Sequence, residues 1–262
     1  MPTSVPPRLF GIRARRASII VLIRRGPSKW SQLIRWDTRT DRFEEGQWLH
    51  AHVYERRCDL SPNGEFLIYF AANYAKTPAT YTAISRPPYW SSIEFWPQGD
   101  AWGGGGLMKD DRNYELNPHA GEDYPIFARR LERDGWLLER EFENRPDWSP
   151  GSRIVVRPHP RMDVTLAMTA HATSGHKVPG LGCYYEEYEL RLPGRSPVPL
   201  DDVRWADWDA QGRLVFARGG AVYAATPESP IEGTLLYTAS IAAPVPLPPP
   251  ASAKKSTKLK AW

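Results

Sequence analysis

The chain has 262 residues, of which 41% are hydrophobic and 12% aromatic, with 11 tryptophans. That is enough apolar surface for a full core and excludes a wholly disordered chain. Twenty-six prolines and 20 glycines punctuate short segments and exclude a fold of long helices.

The formal charge of +4 averages unlike parts. Residues 1–25 carry six arginines and no acid, and the last nine residues carry four lysines and no acid. Setting those ten aside from the 34 basic residues leaves 24 against 30 acidic ones, a body of about −6 with basic ends. A nucleic-acid-binding core carries the basic excess on its folded part. Any nucleic-acid contact is therefore expected only through the termini, at Arg13, Arg15, Arg16, Lys254, Lys255, Lys258 and Lys260.

In chain order, residues 1–16 read as an irregular basic arm, because "MPTSVPPRL" is not helical through its prolines. "SIIVLI" is a β-branched apolar run, the pattern of a strand buried on both faces. "QLIRWDT" alternates, "TRTD" turns, and "RFEEGQWLHAHVYE" runs on. "CDLSPNG" is a second turn, whose Asn63-Gly64 supplies positive φ for a tight hairpin, and "EFLIYFAANY" is the next strand. From "TYTAIS" to "NYELN" strands alternate with turns at Pro87-Pro88, "PQGD" and "KDDR". Within 123–142, "DYPIFARRLERDG" fits a short helix over 124–134 ended by Gly135, and "GWLLEREF" equally fits a strand. "RIVVRPHPRMDVTLAMTAHA" gives two strands. "CYYEEYELRLPG" and "VRWADWDAQGRLVFARGGAVYAAT" give at least four more, and "GTLLYTASI" closes the ordered chain. Residues 243–262, Pro-rich and then Lys-rich, read as an extended, solvated, flexible tail with Trp262 as a candidate anchor.

"WDTRTDRFEEGQWLH…CDLSPNGEFLIYFAA" and "LDDVRWADWDAQGRLVFARGGAVYAA" line up on Leu60, Ser61, Pro62, Gly64, Leu67 and Tyr69, then Asp209, Gly212, Leu214 and Phe216. They resemble blades of β-propellers of the WD40 and TolB-like kind. The resemblance covers about a quarter of the chain. It implies an all-β, propeller-like domain over 17–242, with about five four-stranded antiparallel blades at about 40–45 residues each. One blade is expected to be incomplete or replaced by the helix. A β-sandwich or two small β-domains is the alternative.

No catalytic, cofactor or metal motif stands out, and a non-enzymatic protein without cofactor or metal is expected. "WGGGG" (102–106) lacks the Gly-Lys-Ser/Thr of a phosphate loop and fits close backbone approach instead. His50 with His52, and His171 with His176, lack companion ligands at zinc-site spacing. Asp37, Asp59, Asp100 and Asp207 are candidate glycosidase acids, but turn capping explains such positions. The distant Cys58 and Cys183 are expected to be reduced thiols. "ASIIVLI" (17–23) is too short for a membrane span and has no leader-type cleavage site, so a cytoplasmic protein is expected. Tyr89, Trp90, Trp96, Trp102 and Trp262 are candidate contacts for another protein, since Tyr and Trp anchor interfaces. The leading expectation is a scaffold, adaptor or recognised target subunit. A carbohydrate-binding or carbohydrate-active propeller is the alternative, and nucleic-acid contact through the basic ends the second.

Overall fold

The computed structural model describes residues 6–27, 29–117, 124–142, 152–172, 184–226, 233–240, 244–255 and 258–261. The chain is all-β, with five sheets among the described residues. The first runs β1 (Arg8–Arg13), β2 (Ile19–Arg25), β3 (Ser31–Asp37), β4 (Arg42–Leu49), each hydrogen-bonded to the next. The second joins β5 (His52–Val53) and β6 (Asp59–Leu60) to β7 (Leu67–Ala72), followed by β8 (Thr80–Ser85) and β9 (Ser92–Gln98). The third begins with β10 (Gly106–Met108) and β11 (Asn113–Leu116), after which the chain enters helix α1 (Tyr124–Arg133).

The fourth sheet has the order β12 (Leu137–Phe142), β13 (Ser152–Pro158), β14 (Thr165–Ala172), β15 (Tyr184–Arg191), β16 (Val198–Pro199). The fifth has β17 (Val203–Trp208), β18 (Leu214–Arg218), β19 (Ala221–Ala225), β20 (Thr234–Thr238). The last strand, β21 (Lys260–Ala261), pairs in parallel with β11 of the third sheet. Two compact units divide the chain. One holds residues 10–130 and 239–262, the other residues 1–9 and 131–238.

Burial follows strand order. β2 and β7 are buried almost throughout, whereas β4 and β9 are largely exposed or half-buried. β17 and β18 are buried and β20 is not. The runs "IIVLI" and "LIYFAA" are thus apolar on both faces because both faces are covered.

One hairpin recurs in all five sheets. Ala14, Ser61, Lys109, His159 and Asp209 each follow a strand, and they stand 47 to 50 residues apart. Each donates its N–H to a carbonyl four or five residues later, on Ile19, Phe66, Asn113, Val164 and Arg213, at 2.7 to 3.0 Å. Side chains brace four of these turns from within. Ser61 Oγ accepts from the amides of Glu65 and Phe66. Asp110 Oδ1 accepts from those of Arg112 and Asn113. His159 Nδ1 accepts from Arg161 and Met162, and Asp209 Oδ1 from Gln211 and Arg213. Gly64 and Gly212 take the positive φ, 76° and 83°, that two of the turns need.

Three sequence readings are corrected, and one that was left open, at residues 123–142, is decided. Residues 1–16 are not an irregular arm throughout, since Arg8–Arg13 is a strand with Leu9, Phe10 and Ile12 buried. The prolines forbid a helix up to Pro7 but place no limit on a strand after it. Residues 36–72, aligned as part of one blade, span two sheets, because "WDTRTDRFEEGQWL" holds the end of β3 and all of β4 in the first sheet and "CDLSPNGEFLIYF" belongs to the second. In residues 123–142 both patterns are realised in succession. The helix ends where Gly135, at φ 89°, donates to Glu132 O and Trp136 donates to Leu131 O, and β12 follows. Finally, the end of the chain is not simply solvated. Ala253 is buried, Leu247 and Lys255 offer carbonyls to Gln47 and Arg86, and β21 joins a sheet. A polyproline backbone has no internal hydrogen bonds, so its carbonyls are available to side chains elsewhere in the unit. No described helix is long and apolar enough to cross a membrane.

Candidate functional site

After β9 the chain turns through Gly99 into "DAWGGGG". Asp100 Oδ1 accepts the amide of Trp102 at 2.9 Å, and Thr80 Oγ1 donates to Asp100 O. From the 3-10 turn Glu55–Arg57, the Arg57 guanidinium donates to Ala101 O at 2.8 Å and to Gly103 O. The same guanidinium lies over the rings of Tyr54 and Phe70, at 5.2 and 4.9 Å. On the far side of the loop, Asn117 exchanges hydrogen bonds with Gly104 and Gly105, and Gly105 N donates to Thr82 Oγ1 at 2.8 Å.

The glycines are required by these contacts. A Cβ on Gly104 would stand 2.3 Å from the Phe70 ring, one on Gly105 2.0 Å from Arg57 O, and one on Gly106 2.3 Å from Glu115 O. Close backbone approach is therefore what "WGGGG" serves.

This held backbone leaves the Trp102 side chain 68% exposed. Two further exposed aromatics lie in the same sheet. Tyr74, 67% exposed, sits on the turn that Asn73 N closes onto Ala79 O, directly before Thr80. Phe95, 46% exposed, is on β9, its ring 5.0 Å from that of Tyr81. Phe95 and Pro97 pair with Ala83 and Tyr81 and so share one face of β9.

The other aromatic candidates are placed differently. Trp90 is buried, its ring edge-on to Tyr69, and Tyr69 OH donates to Trp90 O at 2.8 Å. Burial pushes the Tyr69 hydroxyl well above its ordinary range. Trp96 is half-buried against Phe66, Ile68, Ile84, Met108 and Tyr114. Tyr89 is half-buried, and Trp262 lies outside the described residues. Sequence reasoning missed Tyr74, and it saw Phe95 in the aromatic cluster without making it a contact candidate. Tyr74 had a signal, an aromatic residue inside the otherwise polar turn "NYAKTP".

The basic candidates divide in the same way. Arg15 donates to Met108 O and Lys109 O, at 2.9 and 3.2 Å, and Arg16 pairs with Asp111. Arg16 N and Ala17 N bond Pro62 O, while Asn63 N bonds Asp111. Arg15 and Arg16 thus tie together the recurring turns of the first three sheets, and Arg13 Nη1 reaches Ala14 O. Lys254, Lys255, Lys258 and Lys260 are exposed.

Each candidate acid already has structural work. Asp37 accepts from Arg39, which holds its carboxyl below the usual range. Asp59 is buried and accepts the Met108 amide at 2.6 Å. Asp207 is ion-paired with Arg157. Cys58 is buried, and burial pushes its thiol up to about 12, which leaves no thiolate nucleophile at neutral pH. Cys183 and His176 lie outside the described residues. His50 stacks on Trp30, His52 contacts Arg25, and His171 contacts Glu187. Among the described residues no three His, Cys, Asp or Glu side chains gather as a metal site requires.

No protein-family model matches the chain, and no curated protein matches it. Among solved structures it is similar to the AtxE2 isopeptidase, in a serine-to-alanine variant with Astexin3-dC4 bound, at 12% identity and a TM-score of 0.26. That alignment covers 88% of this chain and 46% of the other, so this chain spans about half the length of that protein. At that score the likeness carries neither fold nor activity over to this chain.

Proposed function

We propose that this chain is a non-enzymatic protein-binding module of the β-propeller type, serving as a scaffold, adaptor or recognised subunit, and that it meets its partner through its exposed aromatics Trp102, Tyr74 and Phe95. The five recurring hairpins, 47 to 50 residues apart, support the blade reading. Their spacing is longer than the expected repeat of about 40–45 residues and close to the repeat of about 50 found in other propellers.

The observation that carries the binding reading is Trp102. An aromatic side chain 68% exposed on a backbone held from both sides costs little entropy to dock, and aromatic anchors dominate interface energy. Among the described residues, the candidate acids Asp37, Asp59 and Asp207 already hold structural contacts and the Cys58 thiol is buried and raised.

The test places a photo-crosslinking phenylalanine analogue at Tyr74 in the chain expressed in its own host. The expected result is one discrete protein adduct, lost when Trp102→Ala is added without change in melting temperature. A chain that yields no adduct and purifies alone at its own mass of 29.7 kDa overturns the reading. Glycan binding that Trp102→Ala abolishes moves the function to carbohydrate recognition.

A further inference from the structure

Among the described residues the third sheet has three strands, fewer than any of the other four. After β10 and β11 the chain leaves for α1, and the free edge of β11 is taken by β21, which lies far along the sequence. Asn113 and Tyr114 pair with Lys260 and Ala261 in parallel, and Lys260 N donates to Arg112 O at 3.0 Å. Just before this strand, Leu259 packs against the cluster of Phe66, Ile68, Ile84, Met108 and Tyr114. On the approach, Leu247 O and Lys255 O are bonded to Gln47 and Arg86, and Ala253 is buried.

This is the arrangement by which an extended peptide adds to a sheet edge. Main-chain hydrogen bonds hold it, and one side chain packed on an apolar cluster gives the selection.

We propose that the β11 edge and the apolar cluster under Leu259 form a docking site for a short extended peptide that carries a leucine among lysines, and that the C-terminal segment fills it in cis until such a peptide displaces it. The tether gives the resident segment a high effective concentration, so an incoming peptide competes only when the segment is weakened or outnumbered. This surface is distinct from the Trp102 loop and stands or falls separately.

The test uses the full chain and a fluorescent peptide of sequence ASAKKSTKLKA. Lys260→Pro removes the amide that bonds Arg112 O, and Leu259→Asp removes the side chain from the apolar cluster. Either variant is expected to bind the peptide at least about tenfold more tightly than the unaltered chain. A peptide with aspartate in place of its leucine is expected not to bind. Hydrogen exchange at 258–261 is expected to speed up in both variants while the β7 amides stay protected. Lys260→Pro alters only the last strand, so it separates displacement from unfolding. Equal peptide affinity for all chains, or no binding to variants whose 258–261 amides have become unprotected, overturns the proposal. So does a concentration-dependent dimer that Lys260→Pro abolishes, which assigns the edge to exchange between copies.

Discussion

The carbonyl oxygen of Arg57 lies 2.0 Å from where a Cβ on Gly105 would stand, and Gly105 itself has φ +77°. Both facts forbid a side chain there. The obstacle is backbone, which does not swing aside as a flexible side chain does. Gly105→Ala is expected to destabilise the fold by about 2–3 kcal/mol through overpacking and strain, read by urea unfolding. Gly194→Ala is the control. Its φ is also positive, at +66°, but nothing lies within 4 Å of the added Cβ, so its cost is expected to be about 1 kcal/mol of backbone strain. Equal losses at the two glycines would refute the close-approach account.

Asp207 and Arg157 are both buried and paired, and the same carboxylate accepts the Trp208 amide at 2.7 Å. Trp208 Nε1 in turn donates to Arg157 O at 3.0 Å. Removing the carboxylate alone leaves a buried guanidinium uncompensated. Asp207→Ala is expected to cost about 3–5 kcal/mol, and Asp207→Leu combined with Arg157→Met to recover most of it. Chemical denaturation of both variants checks this. A double variant no more stable than the single one would show that the pair is not what the site needs.

Much of the fold was legible because its turns leave chemical marks. The turn expected at Asn63-Gly64 forms with a positive φ at Gly64 but not at Asn63, and Ser61 and Asp209 each supply the side-chain acceptor that braces a hairpin. The repeat was hidden where another residue does the same job. At His159 a ring nitrogen accepts the two amides, and histidine carries no turn signature. The aromatic candidates show a second limit. Trp90 and Trp102 look alike in sequence, but Trp90 is covered by Tyr69, 21 positions earlier, while Trp102 stands on a loop held by Arg57. The path of the C-terminal segment was illegible for the same reason. Its carbonyls are claimed by Gln47 and Arg86, 200 and 169 positions away.

Glu115 accepts two hydrogen bonds from Arg129, both at 2.7 Å, and has Lys109 beside it. The Arg129 hydrogen bonds, aided by both positive charges, hold its carboxyl below the usual range against the smaller opposing effect of burial. Between its folded value and the unfolded value of about 4.3 the folded chain holds fewer protons than the unfolded one. The contribution is therefore present above about pH 4.3 and is lost as pH falls through the folded value. Glu115→Gln is expected to flatten the fall in melting temperature in that acid window and to leave its slope near neutrality unchanged. An identical acid limb in the two chains would show that the contact does not couple to folding.

Burial holds the Cys58 thiol at about 12, and its Sγ–H donates to Tyr54 O at 3.1 Å. Maleimide or disulfide reagents attack the thiolate, so Cys58 is expected to stay unlabelled in the native chain at pH 8 and to react at once in denaturant. Peptide mapping by mass spectrometry assigns the label to Cys58 independently of Cys183. Native labelling of Cys58 at the rate of a free thiol would mean that the unit opens far more readily than a core so deeply covered allows.

Trp36 and Trp102 separate the two uses this chain makes of tryptophan. Trp36 is fully buried, stacked 5.0 Å from Phe43, with Nε1 donating to Asp41 at 3.2 Å. Truncating it removes packing, leaves a cavity and takes away the hydrogen bond to Asp41. Trp36→Ala is expected to cost about 3–5 kcal/mol. Trp102 has two thirds of its surface in solvent, and the bonds that hold its loop are made by backbone and by other side chains. Trp102→Ala is expected to change stability by less than about 0.5 kcal/mol while removing the crosslinked adduct at Tyr74. A loss of several kcal/mol at Trp102 would make it a structural residue and take away the observation on which the binding surface rests.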